Sequence, residues 1–187
     1  MTYGVALLER AVNYTLGSLR LVTTQALTRG TPCQGWDLRA LLEHMNDSLL
    51  ALYEAMHLGR VDVAVPEDPA DPAADLVAGL RSRACRLIGA CTAPHGPDIV
   101  TIAGHPLTSC IVTSAGAIEV AVHGWDVAEA CGEGRPLPPP LAEELLDLAP
   151  LLVTDADRPG RFAPAVDVPR PASPSDRLIA FLGRHPG

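Results

Sequence analysis

Lysine is missing from this sequence of 187 residues: its 14 basic side chains are all arginine. Schiff-base and pyridoxal-phosphate enzymes, and phosphate-binding loops of the Walker type, all need a lysine amine and are thereby excluded. Aromatic residues are also scarce, with two Trp, three Tyr and two Phe. A core must then come from Leu, Ala and Val, a composition that suits helices better than sheets. Cys-x-x-Cys pairs are absent as well; the five cysteines stand at 33, 85, 91, 110 and 131. Three of them fall in apolar helical patterns, as small buried thiols do in a reducing compartment. No membrane span is expected either, because the longest uncharged stretch, 99–118, holds His105, Pro106 and several hydroxyls. The start, MTYGVALLERAV, has no basic region before its apolar residues and does not read as a signal peptide.

What is present is acidic and apolar. Asp and Glu total 22, giving a formal charge of −8, which argues against a nucleic-acid partner. With 48% hydrophobic residues the chain can bury a sizeable core as one domain, 1–187. The expectation is a cytoplasmic protein acting on a small molecule, with monomer and homodimer both open.

Apolar spacing predicts a helix over 3–29 and a second one after Asp37, an N-cap residue, with Leu38, Leu41, Leu42, Met45, Leu49, Leu52 and Met56 on one face and an end near Gly59. Residues 60–72, with three prolines and four acids, read as a surface loop. A helical pattern resumes over 73–92, and 99–102 reads as a short strand or an extended crossover. Further helices are expected from Thr108 to about Cys131, from Pro139 to Ala149 and from Ser175 to Leu182. Between the last two, the proline-rich 155–174 segment is long enough for a lid or flap. The expected architecture is all-α, a four-helix bundle with a C-terminal irregular segment and a closing helix packed on it.

The helix over 108–131 carries the chemistry. At 100° per residue, Glu119, His123 and Asp126 project within about 60° of one another on a helix otherwise nearly apolar all round. Burying such a stripe is costly unless it is paired or binds a cation. Ala115 and Gly116, one turn earlier, leave room beside it for a facing helix or a ligand. His44, at the border of the apolar face of its own helix, is the obvious residue opposite. His44, Glu119 and His123 would form a two-His, one-carboxylate set suited to a catalytic divalent ion, commonly Zn²⁺, with Asp126 supporting the ligands or acting as general base. The same spacing also suits a solvated Glu–His pair, and a lone His44 also suits a packed histidine.

Three segments resemble one family. Thr31-Pro-Cys-Gln-Gly-Trp-Asp-Leu-Arg-Ala-Leu-Leu-Glu-His44, Glu119-Val-Ala-Val-His123-Gly-Trp-Asp126-Val-Ala and Asp176-Arg-Leu-Ile-Ala-Phe-Leu-Gly-Arg184 are similar to motifs of the DinB-like proteins related to mycothiol-dependent maleylpyruvate isomerase, in their short actinobacterial branch. The resemblance implies a four-helix bundle with a divalent metal, zinc in the first place and nickel or iron as alternatives, held by His44, Glu119 and His123. It also implies mycothiol as co-substrate of a thiol S-transferase or isomerase serving detoxification or secondary metabolism. A non-catalytic small-molecule or metal binder of the same fold, and a bundle whose polar stripe is only structural, are the alternatives.

Among the other residues, Cys33 reads as part of a turn rather than as a reactive thiol, and Trp125 as packing. Arg39, Arg81, Arg83 and Arg86 are candidate carboxylate binders that read more simply as solvated charges. His105 is a candidate for the site mouth, whereas His57, His95 and His185 read as loop or terminal residues.

Overall fold

A computed structural model describes residues 2–61, 75–93, 96–156, 158 and 162–186. Six helices run in the order α1 Tyr3–Ser18, α2 Leu38–Leu58, α3 Leu76–Cys91, α4 Ser109–Ala130, α5 Pro139–Leu152 and α6 Pro174–Phe181. The first four form the bundle. Its centre is α4, which is buried along most of its length and packs most extensively on α1, while α2 lies against both α3 and α4. Leu7, Leu8, Leu41, Leu42, Leu80 and Leu87 are completely enclosed between these helices, so Leu fills the volume that aromatics would otherwise take.

Local chemistry sets the helix ends. The Asp37 carboxylate accepts from the Ala40 amide, the Asp75 carboxylate from the Val77 and Ala78 amides, and the Thr108 hydroxyl from the Ile111 amide. Gly59 and Gly132, at φ +69° and +82°, turn the chain out of α2 and α4.

Several expected boundaries shift. The first helix ends at Ser18 rather than near Gly30; the β-branched run Val22-Thr23-Thr24 disfavours continuation, and a short 3₁₀ turn over Thr24–Ala26 follows. Val22 and Leu27 still pack on the core, which explains the apolar pattern. The fifth helix continues past Ala149 through Pro150 to Leu152. The bundle also carries a small sheet: β2 Ile99–Ile102 pairs antiparallel with β3 His105–Thr108 and parallel with β1 Arg60–Val61. Residues 99–102 are therefore a strand, and the loop expected over 60–72 begins with one; its remainder lies outside the described residues.

The C-terminal part packs on the bundle. Ser173 caps α6, whose Leu178 and Ile179 are fully buried, and α6 packs on α5. The described parts of 155–174 are irregular but tied down: Arg158 donates to the Ala163 and Phe181 carbonyls and lies over the Phe181 ring, and the Val166 amide donates to the Ala180 carbonyl.

Candidate metal and thiol site

The link between α1 and α2 closes on itself before the site begins. The Thr31 hydroxyl donates to the Trp36 carbonyl and accepts from the Cys33 amide, the Trp36 amide donates to the Cys33 carbonyl, and Gly35 takes φ +81°. This knot sets the Cys33 thiol and the Trp36 indole beside the start of α2, and the Trp36 ring centroid lies 4.8 Å from that of His44.

His44 reaches across from α2 to α4. Its Nε2 lies 2.8 Å from Glu119 Oε1, and His123 Nε2 lies 3.2 Å from the same oxygen. One ligand atom from each of His44, Glu119 and His123 falls within 4.8 Å of the other two. Glu119 and His44 are about one-third exposed, 34% and 36% by side chain, while His123 is only 8% exposed. Ser48, one turn after His44, donates to Glu119 Oε1 at 3.2 Å.

Behind His123 lies a second layer. Asp126, with no exposed surface, accepts from His123 Nδ1 through Oδ2 at 2.9 Å. Arg184 closes on the same carboxylate, Nε to Oδ1 at 3.2 Å and Nη2 to Oδ2 at 2.9 Å. The Cys33 thiol donates to Asp126 Oδ2 at 3.2 Å, lies 3.8 Å from His123 Nδ1, and receives Arg184 Nη2 at 3.4 Å.

Arg184 arrives there because α6 ends in a glycine turn. Gly183 sits at φ +81°, and the Arg184 amide donates to the Ile179 carbonyl. A Cβ on Gly183 would lie 2.5 Å from the Ala163 carbonyl oxygen, so the turn admits only glycine without displacement.

The charges reinforce one another. Burial works against ionising Glu119, but hydrogen bonds from His123 and His44, and their charge, hold its carboxyl well below the usual range. Burial likewise opposes charge on His123; its hydrogen bonds to Asp126, Cys33 and Glu119 prevail and raise its pKa well above 6.5. Asp126 is held ionised against burial by His123 and Arg184.

A cavity of about 920 Å³ opens over these groups. The bundle contributes Trp36, His44, Glu119, His123 and the apolar Ile118 and Val122; the C-terminal part contributes Leu152, Phe162, Leu182 and Arg184. Ala115 and Gly116 line it too, although Gly116 is also where α4 meets α2, since a Cβ there would run into Leu52.

The structure thus brings His44, Glu119, His123 and Asp126 together. His105 is exposed on β3 and Arg39 is exposed on α2; neither lines the cavity, nor do the α3 arginines. Arg83 donates to the Asn46 carbonyl and Arg86 lies over the Tyr53 ring. Trp125 is buried in the core, and His95 lies outside the described residues. Cys33, expected to serve only its turn, touches the buried pair at the heart of the site. Arg184 was missed as a site residue, although it closes the third of the motifs that carry the resemblance.

Residues 8–128 match the mycothiol maleylpyruvate isomerase N-terminal domain family. This chain belongs to that family. The match runs from within α1 to just short of the end of α4 and includes His44, Glu119, His123 and Asp126, but not Arg184. Two proteins of Mycobacterium tuberculosis, the uncharacterized proteins MT0763 of strain CDC 1551 and Rv0738 of strain H37Rv, are each 31% identical to it over 179 residues, covering 94% of both chains. No solved structure matches the chain significantly. Among the described residues, no helix is long and apolar enough to cross a membrane.

Proposed function

We propose that this member of the family is a divalent-metal-dependent enzyme that transfers or isomerises through a thiol co-substrate, mycothiol, acting on a small electrophile. The observation that carries the reading is the convergence of His44, Glu119 and His123 from two helices on the wall of a cavity roomy enough for a thiol and a second molecule.

The residues present fit a metal. Two imidazoles and one carboxylate are donors that zinc accepts, leaving positions for other ligands, and nickel or iron suits the same set. The Asp126 carboxylate occupies His123 Nδ1 and so commits Nε2 to the side where Glu119 and His44 lie. A divalent cation held there supplies Lewis acidity and lowers the pKa of a thiol or water that it binds.

The chain's own residues do the rest. His44, Glu119 and His123 hold the cation, and Ser48 steadies Glu119 through its hydroxyl. Asp126 has no face on the cavity and both of its oxygens are engaged, so of the roles open to it the positioning of His123 fits and that of general base does not. Arg184 fixes Asp126 in turn.

Incubating zinc-loaded protein with mycothiol and a panel of electrophiles tests the reading. A thioether or isomerised product above background, lost in His123→Ala, is expected. Absence of product across the panel, with retained binding of the electrophile, would instead favour a binder without turnover.

A further inference from the structure

Helix α4 opens along one line. Over 112–128 every residue is buried except Ala115 and Glu119, and Ile111, one turn before Ala115, is 44% exposed. These three positions stand four residues apart, so they follow one another along a single stripe about 12 Å long. The stripe leaves the metal-ligand end at Glu119, crosses Ala115 and reaches Ile111; beyond the carboxylate it is hydrocarbon.

The cavity follows this line past Glu119. Ala115, Gly116 and Ile118 line it on α4. Leu52 of α2 leans on Gly116, where a Cβ would meet its methyl groups at 2.7 and 2.9 Å, and so forms one bank. From the C-terminal part the half-buried Leu152 and Phe162 line the same space. Hydrocarbon surfaces that border an open concavity favour an apolar guest, because its entry removes both surfaces from water. Alanine at 115 keeps the floor low; a larger side chain there would stand in the cavity one turn from Glu119.

We propose that the substrate of this site carries an elongated hydrocarbon body, which leaves the His44–Glu119–His123 end and runs over Ala115 toward Ile111 beside Leu52, and that Ala115 sets the length admitted. The inference deepens the function proposed above and rests on it for the chemistry of the reacting end. It assigns no charge to that end, where polar side chains and, once loaded, a divalent ion receive a carbonyl or a carboxylate alike. Its own test needs neither metal nor turnover.

Saturated methyl ketones serve as probes, since they do not alkylate cysteine: 2-hexanone, 2-octanone and 2-decanone are titrated into metal-free protein by ligand-observed NMR. Affinity is expected to rise about two- to fourfold per added methylene across the series. Ala115→Phe, checked for an unchanged helical spectrum and cooperative melting, should weaken 2-decanone by about tenfold or more and 2-hexanone by less than about threefold. Ala115→Ser, which keeps the floor low, should retain the length dependence. An affinity that does not rise with chain length in the wild type overturns the proposal. So does an Ala115→Phe variant that binds all three ketones as the wild type does, or that weakens all three equally. Length-dependent binding together with a failed thiol-transfer assay contradicts the proposed activity but not the substrate class; product formation without length dependence contradicts the substrate class alone.

Discussion

Arg184 and Asp126, 58 positions apart, meet in a two-pronged ion pair that ties the last turn of the chain to the helix bearing Glu119 and His123. The pair is buried on both sides, 9% and 0% exposed by side chain. Such pairs add little net stability over apolar substitutes, yet breaking one strands the other charge. Arg184→Met is therefore expected to destabilise the protein by about 3 kcal/mol, and Arg184→Met/Asp126→Asn together by less than the sum of the single changes. Urea unfolding of the four proteins measures the coupling; strict additivity would show that the pair does not act as a unit.

Asp126 also positions His123, one of the three proposed metal ligands. Asp126→Asn keeps the shape but weakens the bond to His123 Nδ1, so zinc affinity is expected to fall about 10–100-fold while Glu119 and His44 remain in place. Competition with a chromophoric chelator measures this, and unchanged affinity would deny Asp126 its positioning role.

The pH dependence of the metal-free protein follows from three shifts. Glu119 and Asp126 are held below their ordinary values of 4.5 and 3.8, so their contribution is present above those values and lost as pH falls through the folded-state pKa. His123 is raised above 6.5, so its contribution is fully present below that value and lost as pH rises through its folded-state pKa. Maximum stability of the metal-free protein is thus expected between about pH 4.5 and 6.5. Zinc binding must displace the His123 proton, so affinity should rise with pH and binding should release protons, which calorimetry in buffers of different ionisation enthalpy detects.

Tyr14 offers a reporter away from the site. Its hydroxyl donates to the Arg135 carbonyl, and the Arg135 guanidinium lies over its ring. Burial pushes its pKa from 10.0 up to about 12, so this contribution is intact below pH 10 and lost as pH rises through 12. Absorbance titration should show one tyrosine ionising near the unfolding pH, and Tyr14→Phe should remove that step.

Close packing of α1 on α4 depends on small residues. A Cβ at Gly124 would overlap the Thr15 hydroxyl, which donates to the Val120 carbonyl, and would stand 3.0 Å from Thr15 Cα. Gly124→Ala is expected to cost about 1–3 kcal/mol in chemical denaturation despite alanine's better helix propensity. A stabilised variant would show that the helices have room to separate.

Periodicity read along the chain disclosed most of this architecture, because the helices carry their caps and apolar stripes locally: Asp37 opens α2, and Gly59 and Gly132 turn the chain out of α2 and α4. The extent of α1 was overestimated because Val22 and Leu27 keep contacting the core after the helix has stopped. In the site, Glu119, His123 and Asp126 were legible from their common helix face, and His44 from its place opposite. Arg184 and Cys33 were not, since what gives them meaning is a contact between segments far apart in sequence: the Gly183 turn and the Thr31–Trp36 knot both converge on Asp126. Single-element geometry carries no signal for such contacts.

The function proposed for this site depends on His44, Glu119 and His123 holding a divalent ion. Elemental analysis of protein purified without a histidine tag and reconstituted with zinc decides the matter. About one zinc per chain in the wild type, and a near-complete loss in His123→Ala with folding retained, is the predicted result. Less than about a tenth of an ion per chain in the wild type, with zinc, nickel or iron alike, would contradict it.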